Sequence, residues 1–329
     1  MLLPRGPLGA FVCLAALAGC RARAPLPRDA VAPDVRRPDD VAPAPRAAAE
    51  PPLNLRWSPD GRWILVDQRW VLWPESGETK PFACGPEGAE IDCRVPVVAI
   101  APDSKRVLVV DGDHFAVGPP NGPLGPAVRI PSWLSGGVDP STFGFWLDAR
   151  RVLVQQYERH GDTPAQCRIY ELDRRRWQRA AACVRPDLEN VWRIDGGPDG
   201  WIAIHAGGEG VQSVLLARYD PATGQRDAPL GVDPEPPGAA FASFGKTGSV
   251  DLVSPCRLGQ KHGPCPEAPE APWNLYSASL TDGTLTLRRS DLPAGAVPDP
   301  RGGRFAWPAG RAVCLGEPSQ PPTITCHPL

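Results

Sequence analysis

Room for helix is what this chain lacks most. Its 329 residues include 34 Gly and 43 Pro, which cost roughly 1 and 3 kcal/mol respectively inside a helix. Past the N-terminal segment no stretch holds a long 3.6-residue apolar period. An all-β chain with many turns fits better. Lysine is scarce too: Lys80, Lys105, Lys246 and Lys261 are the only four among 35 basic residues. The arginines are interspersed with acids to a net charge of −2. Without a basic stripe or an aromatic-interleaved patch, nucleic acid is not expected as a partner.

The usual signatures of catalysis are missing as well. There is no Gly-x-Ser-x-Gly elbow, no His-Glu-x-x-His and no dinucleotide glycine fingerprint. Gly245-Lys246-Thr247 imitates the end of a phosphate loop, but Ala240 stands at its first glycine position and no helical pattern follows. The histidines His114, His160, His205, His262 and His327 are scattered and read as surface or structural side chains rather than ligands. No cofactor, metal ligand or catalytic residue is assigned.

What is present is a phrase that recurs along the chain. Trp57-Ser58-Pro59-Asp60-Gly61-Arg62 leads into Trp63-Ile64-Leu65-Val66, and Ala101-Pro102-Asp103-Ser104-Lys105 leads into Val107-Leu108-Val109-Val110. Trp146-Leu147-Asp148-Ala149-Arg150 and Gly197-Pro198-Asp199-Gly200 do the same before Val152 and Trp201. Weaker copies start at Phe244 and Pro298. Proline presets the first corner of a turn, aspartate accepts backbone N–H groups within it, and glycine takes the positive φ. The flanking runs are β-branched, leucine-rich or aromatic, as strands prefer. The aspartates are therefore read as turn formers joining two antiparallel strands. A turn-and-strand unit repeating every 40 to 50 residues is the pattern of propeller blades. Four strands fit each interval, at about 53–58, 62–67, 69–73 and 79–83 in the first. Six blades then run over 53–329, each complete in chain order, with closure by packing between the first and the last. The tryptophans within these runs suit packing between twisted sheets.

The first 19 residues carry Arg5, then an apolar stretch from Leu8 to Leu17, then small residues. That is a secretory signal, too short to span a bilayer. It ends Leu17-Ala18-Gly19-Cys20, which resembles the bacterial lipobox. The resemblance implies removal of residues 1–19 and lipidation of Cys20. Each buried methylene contributes about 0.8 kcal/mol, and two acyl chains hold a protein stably. Arg21, rather than an acid, follows the cysteine, which favours the periplasmic face of the outer membrane. Residues 20–52 are rich in Pro, Ala and Arg with few large apolar groups and read as a disordered tether. At about 3.1 Å per residue it would reach roughly 90 Å.

Eight further cysteines fall in close pairs: Cys84 with Cys93, Cys167 with Cys183, Cys256 with Cys265, Cys314 with Cys326. Two of these pairs flank the centre of a predicted hairpin, where opposed residues satisfy disulfide geometry, and the other two close small loops. Cys-x-x-Cys spacing is absent, so zinc does not fit. Disulfides agree with an exported location.

The Ser-Pro-Asp-Gly-Arg phrase, its flanking strands and the sixfold repeat resemble the TolB-type, Pro-Asp subclass of WD40-like propellers. The likeness spans nearly all of 53–329. It departs at Ser104 and Ala149, which stand where that repeat carries glycine. It implies a six-bladed propeller serving as a periplasmic interaction platform. The expected function is a lipid-anchored, monomeric, non-catalytic propeller that binds an envelope protein or a cell-wall-associated partner. The alternative is a propeller enzyme, a metal-assisted hydrolase or lyase, working in the central channel. A channel-lining cluster of carboxylates or histidines would favour the latter. Prolyl-peptidase-type enzymes carry similar blades, but no hydrolase domain is recognised beside these.

Overall fold

The computed structural model describes residues 54–82, 97–131, 141–157, 165–184, 191–206, 213–227, 240–244, 248–255, 272–316 and 324–329. These form six four-stranded antiparallel sheets, each built from consecutive strands. Blade 1 is β1 (Leu55–Trp57), β2 (Ile64–Val66), β3 (Trp70–Trp73) and β4 (Glu78–Pro81). Blade 2 is β5 (Val97–Ile100), β6 (Val107–Asp111), β7 (His114–Gly118) and β8 (Val128–Arg129). Blade 3 is β9 (Ser141–Trp146), β10 (Arg151–Tyr157), β11 (Gln166–Glu171) and β12 (Arg176–Arg179). Blade 4 is β13 (Val191–Gly196), β14 (Trp201–Ala206), β15 (Ser213–Asp220) and β16 (Gly224–Asp227). Blade 5 is β17 (Ala240–Phe244), β18 (Ser249–Ser254), β19 (Trp273–Ser279) and β20 (Leu285–Leu292). Blade 6 is β21 (Val297–Pro298), β22 (Phe305–Ala309), β23 (Ala312–Gly316) and β24 (Thr325–Pro328).

A sheet sandwiched between two others must be apolar on both faces. That is why Ile64–Val66 and Val107–Val110 are unbroken buried runs rather than alternating ones. Six apolar clusters result, one at each seam. Leu65 and Val71 meet Val107 and Val109 between blades 1 and 2. Val110 and Phe115 meet Trp146 and Tyr170 between 2 and 3. Phe145 and Ile169 meet Ile204 and Tyr219 between 3 and 4. Leu216 meets Leu252 and Tyr276 between 4 and 5, and Leu275 meets Phe305 between 5 and 6. Leu55, Trp57 and Ile64 meet Val297, Val313 and Leu315 between 6 and 1. Among the described residues, the six-bladed ring is therefore closed by packing, with no strand lent from one end of the chain to the other's blade.

The repeated turns behave as their chemistry dictates. Asp60 Oδ1 accepts from Arg62 N at 3.1 Å, Asp103 Oδ1 from Lys105 N at 3.0 Å, and Asp148 Oδ1 from Arg150 N at 2.7 Å. Gly61 and Gly200 hold φ values of 68° and 76°. Ser104 takes the same left-handed position at 58°, so serine substitutes for glycine without changing the turn. The loop of blade 3 is tighter: Leu147 N bonds Arg151 O, four residues on, whereas Ser58 N bonds Trp63 O, five residues on. Ala149 therefore does not need a positive φ. In blade 6, Asp299 N bonds Arg304 O and Gly302 N bonds Asp299 O, which places Asp299 at the position of Ser58 rather than Asp60.

Two disulfides lie in the described residues. Cys167 is bonded to Cys183 and Cys314 to Cys326, the latter directly opposed on β23 and β24. Cys20, Cys84, Cys93, Cys256 and Cys265 lie outside the described residues, as do the signal and tether.

Candidate functional site: a charged plug in the channel

The innermost strands β1, β5, β9, β13, β17 and β21 line the axis of the ring. Cross-strand register sets equivalent positions on them: Trp57 pairs with Ile64 and Gly196 with Ile202, so the preceding residues Arg56 and Asp195 lie at one level. Leu55 and Trp57 point into the seam with blade 6. Alternation then sends the side chain between them, Arg56, the other way. Arg56 crosses the ring to blade 4, the opposite blade, where its Nη2 donates to Asp195 Oδ1, while its Nη1 donates to the Val98 carbonyl of blade 2.

Asp195 is the hub. Its Oδ2 accepts from Arg193 Nε at 2.7 Å and lies 2.9 Å from His205 Nε2 on the neighbouring strand. Arg193 and His205 face each other in the β13–β14 register. The side chains of Arg56, Arg193, Asp195 and His205 are 10%, 7%, 10% and 4% exposed. Burial alone would raise the Asp195 pKa, but Arg193, Arg56 and the bond from His205 outweigh it and hold the carboxyl well below the ordinary range. Burial, reinforced by Arg193, lowers the His205 pKa to about 4, so the ring is neutral at pH 7 and donates its Nε2 proton to the ionised carboxylate. Burial and the nearby Arg193 lower the Arg56 pKa to about 10, which leaves it charged.

Both oxygens of this carboxylate are thus engaged by groups of the chain itself. A metal ion would have to displace guanidinium groups from it. Among the described residues, no group of three or more His, Cys, Asp or Glu is placed to hold a metal. Two hydroxyls on inner strands, Thr142 Oγ1 and Ser243 Oγ, are buried without a hydrogen-bond partner. By register Ser243 sits at the level of Arg56 and Asp195.

The residues singled out from sequence lie elsewhere. Pro59, Asp60, Gly61, Pro102, Asp103, Asp148, Pro198, Asp199 and Gly200 are distributed among the turns that end the inner strands, and nothing brings them together. Asp199 itself adopts a left-handed φ of 53° and its carbonyl accepts from Arg218 Nε. Sequence reasoning passed over Arg56, Arg193 and Asp195. Their signal was charge inside apolar strands, Leu55-Arg56-Trp57 and Ile194-Asp195-Gly196. His205, read from the sequence as a surface or structural side chain, is a buried member of the hub.

No protein-family model and no curated protein matches the chain. Solved structures similar in shape include a TolB of Agrobacterium tumefaciens, 15% identical, with a TM-score of 0.45 over 77% of this chain and 87% of that one. TolB of Acinetobacter baumannii is 14% identical, with a TM-score of 0.41, over 80% of this chain and 60% of that one. An oligogalacturonate lyase solved with manganese is 10% identical, with a TM-score of 0.45, over 80% of this chain and 73% of that one. The six sheets and their six seams make the described chain a six-bladed β-propeller whose axis is crossed by one buried ion-pair network.

Proposed function

We propose that the chain is a lipid-anchored protein of the bacterial envelope, at the periplasmic face of the outer membrane, whose propeller binds a protein partner without catalysis. The observation that carries the non-catalytic reading is the occupied hub. Asp195 and His205, the carboxylate–imidazole pair found in the channel, are spent on Arg56 and Arg193 rather than turned toward a substrate. The topology supports a partner on one particular face. Asn54 enters β1 beside the β2–β3 turn, and Leu329 leaves beside Arg311 in the β22–β23 turn. Both ends of the described ring thus emerge opposite the repeated Asp turns, whose face is free of them. That face carries exposed Arg62, Lys105 and Arg174 among exposed carboxylates such as Asp173, a mixed surface suited to polar protein contacts.

The test has two arms. Metabolic labelling with an alkyne palmitate analogue tags the wild type and not Cys20→Ala; a tag surviving that change refutes the anchor. Photocrosslinking residues placed at Arg62, Lys105 and Arg174 give one discrete adduct in cells, while Asp67 and Asp113 on the other face give none. Crosslinks from neither face, or turnover of an envelope component abolished by Asp195→Asn, would favour a channel enzyme.

A further inference from the structure

We propose that the channel contains a guanidinium-binding site which the chain fills with its own Arg56. The receptor has two acceptors on two walls. Asp195 Oδ1 stands on β13 of blade 4, the Val98 carbonyl on β5 of blade 2, and each takes one arm of the Arg56 fork. A planar fork with divergent N–H groups fits two separated acceptors at once; a compact ammonium does not. The carboxylate is oriented independently of this occupant, because Arg193 and His205 hold its other oxygen from within blade 4. Receptor and occupant are therefore separate parts. One is built by blades 2 and 4, and the other is delivered on the short strand Leu55–Trp57 from blade 1, 139 residues away in sequence.

Arg56 is in this sense a tethered ligand. A guanidinium from another source, a free alkylguanidine or the arginine side chain of a peptide, carries the same donors and competes for the same two oxygens. The site needs neither the lipid anchor nor a protein partner, so its failure would leave the platform reading standing, and the reverse.

The experiment empties the site and refills it. In the full folded chain, Arg56→Ala leaves Asp195 with a vacated acceptor, and Tm falls by about 10 °C, as expected for half of a buried pair in a protein of this size. Millimolar N-ethylguanidinium restores several degrees with a saturable dependence, and isothermal titration shows one site. Ethylammonium at equal concentration does not restore it, and Arg56→Ala combined with Asp195→Asn abolishes the rescue. Acetyl-Gly-Arg-Gly-amide is the second ligand: rescue by it shows that the channel admits an arginine carried on a chain, and rescue by ethylguanidinium alone confines the site to small guanidines. Equal rescue by both cations, or rescue that survives Asp195→Asn, overturns the assignment. Where Arg56→Ala does not fold, Arg56→Met keeps the apolar stem and takes the same arms. Where that also fails, refolding yield with ethylguanidinium against ethylammonium is the readout, and no difference between them overturns the site.

Discussion

His205 is neutral because protonating it would place a third cation beside Arg56 and Arg193 in a buried space. Its pKa of about 4 in the folded chain lies below the ordinary 6.5, so between those values the unfolded chain binds a proton that the folded one does not. Stability is then complete above about pH 6.5 and falls as pH drops toward 4, by on the order of 3 kcal/mol from this group. Asp195, whose pKa is also lowered, extends the loss below the ordinary carboxylate range in the same direction. Urea denaturation at pH 7, 5.5 and 4.5 should show the decline, and His205→Gln, which keeps a donor toward Asp195, should flatten it. An unchanged pH slope in that variant would assign the decline to other groups. At the turns, two glycines separate backbone strain from crowding. Gly61 and Gly112 both hold positive φ, 68° and 54°, but a Cβ on Gly61 would lie 2.3 Å from Asp299 Oδ1, whereas nothing lies within 4 Å of one on Gly112. Gly112→Ala should cost about 1 kcal/mol through φ alone, and Gly61→Ala roughly 1–3 kcal/mol more, measured as a larger fall in the urea midpoint at constant slope.

At the scale of the strand, a staple recurs between neighbouring blades. Trp146, the last residue of β9, donates its indole N–H to the Ala99 carbonyl of blade 2 at 3.0 Å, and Arg106 of blade 2 lies 5.2 Å over its ring. Trp57, the last residue of β1, donates to the Val297 carbonyl of blade 6 at 3.2 Å beneath Arg304 at 5.3 Å. A fully buried Trp146 thus supplies apolar area, a donor and a cation–π face at once. Trp146→Phe keeps much of the area, removes the indole bond to the Ala99 carbonyl and weakens the cation–π contact. The expected loss is about 2–3 kcal/mol, and a loss under 1 kcal/mol would mean water replaces the indole. The elements were legible in the sequence because their determinants are local. Pro, Asp and Gly shape each turn within six residues, and the first blade's strands emerge within a few residues of their expected ends. The alignment of blade 6 was less legible, since Pro300 separates Asp299 from the residues that follow Asp60 in blade 1, and only the backbone bonds show which positions correspond. The hub was not legible at all. That Arg56 meets Asp195 depends on which blade lies across the ring, and nothing within either strand encodes this.

For the whole ring, the seam between blades 6 and 1 must do what chain connectivity does at the other five. Its apolar part joins Trp57, Ile64 and Leu72 to Ala306 and Val313. Its polar part ties Arg301 and Arg304 to Glu75 and to Asp299, whose side chain is only 1% exposed. Arg301 and Arg304 meet Glu75 at the surface, where ion pairs contribute little, so the packed residues and the last hairpin carry closure. That hairpin is where the Cys314–Cys326 bridge lies, and β24 is the outermost strand of its sheet, with no strand beyond it among the described residues. A bridge closing a loop of this size stabilises by about 3 kcal/mol through the unfolded chain, but here it also keeps β24 paired along β23, the strand that carries Val313 and Leu315 into the seam. The double change Cys314→Ser, Cys326→Ser should therefore lower Tm by several degrees. It should also speed amide exchange first in β22, β23 and β1, while β10 and β14 on the far side of the ring keep their protection. Loss of the Cys167–Cys183 bridge, placed between two covalently flanked blades, should lower Tm without that asymmetry. If exchange quickened uniformly in both variants, the seam would be no weaker than its neighbours, and closure would rest on the ring acting as one cooperative unit.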